Sequence, residues 1–201
     1  MDAAPFAAYR PAGRDFMVCY DYSDDLFDSS LLSAYDEVDV VAWSMGVWMA
    51  AHVLTAAGIE PATAIAVNGT LHPVDAERGI APQIFQGTLD GLSEPTLMKF
   101  RRRMCGGASG YKLFMEAAPQ RTLDSLRTEL AAIGRMYAEA DGSAGAMRWD
   151  EAVVGDADAI FPTPAQQCAW SEAGVRQTPV SAPHYKEEIF KHYLEEIWTN
   201  D

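Results

Sequence analysis

The stretch Val40-Val41-Ala42-Trp43-Ser44-Met45-Gly46-Val47-Trp48 carries the chemistry most open to reading, because an apolar run meets a serine between small residues and passes into a helical pattern. A serine hydroxyl attacks poorly unless the backbone presents it at a sharp strand-to-helix turn. There a base can take its proton, and helix-start N–H groups can hold a developing oxyanion. Ala42 and Gly46 supply the low bulk that such a turn needs two residues either side of the serine, with alanine standing where glycine is commoner. Ser44 is thus a candidate nucleophile and the Met45 backbone a candidate oxyanion donor. A buried serine at a tight turn is the plainer reading of the same pentapeptide.

In an α/β-hydrolase the serine is followed in chain order by an acid after a late strand and a histidine after the last one. Asp158 falls at the second place, in a glycine-marked loop after Val153-Val154-Gly155 and before the apolar Ile160-Phe161. Asp156 competes with it, its alternative role being to shape the turn. Of the four histidines, His52 lies inside the helix that follows Ser44, His72 precedes Pro73 in a middle loop, and His192 belongs to the C-terminal helical pattern. His184 follows the extended Thr178-Pro179-Val180-Ser181-Ala182 and precedes the final helix, where an imidazole can reach over the nucleophile.

Further segments make a resemblance specific. They are Val18-Cys19-Tyr20-Asp21-Tyr22, Ala66-Val67-Asn68-Gly69-Thr70, Phe85-Gln86-Gly87-Thr88-Leu89, Lys99 through Gly106, Ala165-Gln166 and Pro183-His184-Tyr185. With the Trp-Ser-Met-Gly turn, the chain resembles the BioG family of pimeloyl-[acyl-carrier protein] methyl ester esterases over nearly its whole length. The resemblance implies a compact α/β-hydrolase of biotin synthesis with Ser44 as nucleophile, Asp158 as acid and His184 as base. It implies an acyl-carrier protein bearing pimeloyl methyl ester as partner. It further implies, upstream of the point where this chain begins, a strand and a glycine-tryptophan-glycine turn that complete the oxyanion hole, with residues 1–6 matching the stretch just after that turn. Either the start is assigned too far downstream, or the chain as written lacks one oxyanion donor and hydrolyses weakly, by about a hundredfold to a thousandfold.

Length and composition agree with one domain. A chain of 201 residues with 49% hydrophobic content can bury a sizeable core. No apolar run is long enough to span a membrane, and no signal peptide is recognisable. Three scattered cysteines fit a reducing cytoplasm. The net charge of -14 argues against nucleic-acid binding. No phosphate loop, dinucleotide fingerprint or His/Cys metal cluster is present, so no cofactor or metal is expected.

Short apolar runs alternate with helical patterns, which predicts a mainly parallel sheet with helices on both faces. Strands are expected over residues 15–20, 38–43, 63–67, 148–154 and 176–181, and the helix after Ser44 is expected to stop at Gly58. Between residues 75 and 141 the strand signal fades into amphipathic patterns, as at 94–104 and 123–138, and this segment is read as an inserted helical cap. It holds a basic cluster, Lys99, Arg101, Arg102 and Arg103, followed by Arg121, Arg127 and Arg135. Such a cluster suits an acidic carrier protein, although solvation of a helix face and pairing with local acids account for most such runs. Trp43, Phe85 and Phe100 join Arg101 to Arg103 as candidate substrate or carrier contacts, with Leu89 and Phe114 as further candidates for an acyl channel. Three functions stay open: a carrier-protein methyl ester esterase, another serine esterase or thioesterase on the same scaffold, and a hydrolase-like binding protein without turnover.

Overall fold

The structure, a computed structural model, describes residues 1–142 and 145–198. Among them, β1 (Asp39–Trp43), β2 (Thr63–Val67), β3 (Glu151–Gly155) and β4 (Arg176–Val180) form a sheet in the order β1-β2-β3-β4, every pair parallel. Parallel neighbours need a long crossover, and helices supply each one. α1 (Gly46–Ala56) joins β1 to β2, and α6 (Thr163–Glu172) joins β3 to β4. The β2 to β3 crossover holds α2 (Pro82–Asp90), α3 (Glu94–Met104), α4 (Ala108–Phe114) and α5 (Leu123–Glu139). α7 (Glu187–Leu194) follows β4. None of the described helices is long and apolar enough to cross a membrane.

The two sheet faces carry different side chains. Ile65, Val67 and Val153 point to one face, against Phe85, Met104, Phe114 and Phe161 and the α7 residues Ile189 and Phe190. Ala42, Ala64, Ala66 and Ala152 point to the other, and these small residues leave room for Trp48 of α1, Trp170 of α6 and Ile133 of α5. Burial on both faces explains why the strands read as nearly continuous apolar runs. α1 is correspondingly apolar on most sides, and it ends at Ala56, with Ala57 as its C-cap and Gly58 in the left-handed region at φ 67°.

The expected strand over residues 15–20 is a correction. Its burial alternates, with Phe16 and Val18 more covered than Met17 and Cys19, but it joins no ladder. It lines the same cleft as β1 without pairing to it, leaving β1 at one edge of the sheet. Alternation needs only a chain lying on a surface; a strand also needs a hydrogen-bonded neighbour.

Close backbone approach fixes the end of β2 against the turn after β1. A Cβ on Gly69 would sit 2.2 Å from the Ser44 carbonyl oxygen and 2.9 Å from Val47 Cγ2. Gly69→Ala is therefore expected to destabilise the fold by about 1–3 kcal/mol through forced backbone displacement. Urea denaturation checks this, and an unchanged midpoint would contradict the tight packing of β2 beneath the turn.

Candidate active site

Ser44 sits at the turn between β1 and α1 with φ 60°, a left-handed conformation uncommon for a non-glycine residue. Two backbone bonds hold it there: Ser44 N–H donates to the Val67 carbonyl (3.0 Å), and the Ser44 carbonyl accepts from Val47 N–H (3.2 Å). Met45 is the N-cap of α1, at the end where the first N–H groups have no intrahelical acceptor. At Gly46 the Tyr22 hydroxyl lies 2.7 Å from where a Cβ would be, so a larger residue there would require the Tyr22 side chain to move. Burial first, and then the Glu129 carboxylate, push the Tyr22 phenol upward, so it stays protonated beside the turn.

Asp158 and His184 come from the loops after β3 and β4, and both are buried. Ser44 Oγ is 3.0 Å from His184 Nε2, and His184 Nδ1 is 2.8 Å from Asp158 Oδ2. Asp158 Oδ1 accepts from the backbone N–H groups of Ile160 and Phe161, while Oδ2 also accepts from Gln166 Nε2. A carboxylate already accepting three donors leaves Nδ1 as the protonated ring nitrogen, so Nε2 is free to accept from the serine hydroxyl. Phe161 stacks parallel to the imidazole, centroids 6.0 Å apart and planes 8° apart.

The backbone under His184 is tied to the sheet. Its carbonyl accepts from Trp43 Nε1 (3.0 Å) and from Asn68 Nδ2 (2.9 Å). Asn68 also donates to the Pro183 carbonyl, and its Oδ1 accepts from Gly155 N–H at 2.7 Å. One buried amide thus links the ends of β2 and β3 to the histidine loop. Asp156, the competitor to Asp158, accepts from Ala182 N–H and pins the same loop, a link across 26 residues rather than a bond within its own turn.

The remaining histidines stand elsewhere. His52 stacks on Trp48 and meets Asp25, His72 meets the Tyr137 hydroxyl, and His192 meets Glu196. A cleft of about 1910 Å³ opens over Ser44 and His184, with Trp43, Phe85, Phe100 and Ile160 in its lining. Trp43 reaches it, but its indole N–H is already used on His184. Leu89 and Phe114 lie off the cleft, and Phe114 packs against Tyr185. Arg101 and Arg103 border the cleft, whereas Arg102 is exposed outside it. Arg121, Arg127 and Arg135 are engaged by Glu129, Asp124 and Glu139. Among the described residues no acid lies within ion-pair distance of Lys99, Arg101, Arg102 or Arg103. Sequence reasoning gave no role to Asn68 or Gln166; Asn-Gly after a strand reads as a turn, and a helical glutamine reads as surface.

Comparison with known proteins places the chain in a family. The chain is 46% identical over 194 residues to a Bacteroides fragilis protein named malonyl-[acyl-carrier protein] O-methyltransferase, matching 96% of this chain but only 39% of that one. It is 39% identical over 183 residues to an uncharacterized Haemophilus influenzae protein, covering 91% of this chain and 82% of the relative. The crystal structure of BioG from Haemophilus influenzae superposes with a TM-score of 0.77 at 37% identity, over 87% of this chain and 79% of that one. A Bacillus anthracis bromoperoxidase, at 17% identity and a TM-score of 0.56 over 77% of this chain and 63% of its own, shares the α/β-hydrolase fold. The profile described as pimeloyl-ACP methyl esterase BioG matches residues 7–196, and the chain belongs to the BioG family.

Proposed function

We propose that the protein is a serine carboxylesterase that hydrolyses the methyl ester of a pimeloyl chain held on acyl-carrier protein, a step of biotin synthesis. The observation that carries the reading is the hydrogen-bonded chain from Ser44 through His184 to Asp158, 3.0 and 2.8 Å long, at the base of an apolar cleft. Family membership supports the substrate class.

His184 Nε2 takes the Ser44 proton as Oγ bonds to the ester carbonyl carbon, and the carbonyl electrons move onto oxygen. The Met45 N–H at the start of α1 stabilises that oxyanion. As the carbonyl re-forms, the bond to methoxide breaks, and the imidazolium returns its proton so that methanol leaves. Water, deprotonated in turn by His184, attacks the acyl-serine, and Ser44 recovers its proton. The chain leaves as a carboxylate, its link to the carrier intact.

α2, α3 and α4 serve in this reading as a cap over the cleft, with Phe85 and Phe100 against the acyl chain. Lys99 and Arg101 to Arg103, near the end of α3, form the positive rim that an acidic carrier meets. They have no acid within ion-pair distance among the described residues, whereas the arginines further along are consumed by local acids.

Ser44→Ala is expected to reduce kcat roughly a millionfold and Asp158→Asn about ten-thousandfold, measured as methanol released from pimeloyl-carrier methyl ester. A folded Ser44→Ala variant with undiminished turnover would end the esterase reading. Wild-type hydrolysis of small aryl esters but not of the carrier-bound ester would favour a general esterase. Failure of Ser44 to react with a fluorophosphonate would favour a binding protein.

Charge reversal of Arg101, Arg102 and Arg103 together is expected to raise KM for the carrier-bound substrate about tenfold or more while sparing kcat and small esters. The wild-type KM should rise with salt over the same range as screening sets in. Equal losses on both substrates would remove the carrier role from α3.

A further inference from the structure

Gln166 is wholly buried in the first turns of α6, and its amide is bonded asymmetrically. Nε2 donates to Asp158 Oδ2 at 2.9 Å and to the Phe161 carbonyl at 2.7 Å. Its Oε1 is buried with no hydrogen-bond partner among the described residues, an exception it shares with Trp149 Nε1. An unpaired buried acceptor is destabilising, and methionine or leucine would fill the same space without one. Packing therefore does not account for the amide.

The polarity of the group does account for it. Turning the amide over would set Oε1 against a carboxylate oxygen and a carbonyl oxygen, so one orientation is enforced. In that orientation Asp158 receives four donors: two backbone N–H groups on Oδ1, and Gln166 with His184 on Oδ2. Four donors fill the lone-pair directions of a carboxylate and fix its rotation. Without Gln166, Oδ2 keeps one open direction and the carboxylate can swing about its own turn, taking the imidazole with it.

We infer that Gln166 is a positioning residue, which locks the Asp158 carboxylate and through it sets the direction of His184 toward Ser44. This goes beyond the ester substrate and rests on the proposed hydrolysis only for its kinetic readout. Gln166→Met keeps volume and apolar contact but removes the donor. Its kcat on a small aryl ester is expected to fall about tenfold to a hundredfold, as for a misaligned catalytic group, with KM within about twofold of wild type. The low-field proton resonance of His184 Nδ1–H is expected to shift or broaden.

In the wild type, one Gln166 amide proton and the His184 Nδ1 proton converge on Asp158 Oδ2, while the second amide proton goes to the Phe161 carbonyl. A nuclear Overhauser effect should join the first two, and the amide should resist exchange with solvent. A Gln166→Met variant altered only in its melting temperature, with kcat and the proton resonance unmoved, would overturn the inference. So would a wild-type Gln166 amide that exchanges freely and shows no such effect, and that measurement does not require any variant to fold. Should the wild type hydrolyse no ester, the proposed function fails while the proton measurements still decide the role of Gln166.

Discussion

The His184 carbonyl, caught between the Trp43 indole and the Asn68 amide, is the contact on which the site's geometry turns. A loop after an edge strand has few backbone partners of its own, and a histidine on such a loop would sample many directions. Here one oxygen is bonded to the last residue of β1 and to the residue after β2. Because Asn68 also accepts from Gly155 at the end of β3, the imidazole is referenced to the sheet rather than to its own loop. The parallel arrangement makes this possible, since it brings every strand's C-terminal end to one side.

Much of this was legible in the chain. β2 spans residues 63–67 and α3 residues 94–104, both as expected, because a short apolar run and an amphipathic helical pattern are local features. Chain order selected Ser44, Asp158 and His184, and they meet in space. The segment 15–20 misled, since lying along a cleft produces the same alternation as lying in a sheet. Asn68 and Gln166 were opaque for a different reason: their partners are 116 and 8 residues away, and nothing local distinguishes a buried amide from a solvated one.

Electrostatics divides the arginines in a way that composition does not. Arg121 is largely buried and bridges Glu129 and Asp21, so its charge is spent inside the protein. The α3 cluster keeps its charge for solvent or a partner, and Arg103 lies over the Phe100 ring with 5.9 Å to the centroid. A strongly negative protein can in this way present a small positive field at one rim without changing its overall balance.

The single long crossover between β2 and β3 has a practical consequence for re-engineering. The loops bearing Asp158 and His184 lie outside it, but the crossover begins with Asn68 and touches the histidine loop again where Tyr185 N–H donates to the Met104 carbonyl at 2.9 Å, so a graft must keep both ends of that link. α5 sets the limit of such a graft: Ala132, Ile133, Met136 and Tyr137 pack with Trp48 on the far face of the sheet. Phe85, Met104 and Phe114 hold α2, α3 and α4 to the near face in the same way, so the exchangeable positions are the exposed ones, such as Met98 and Leu113, rather than whole helices.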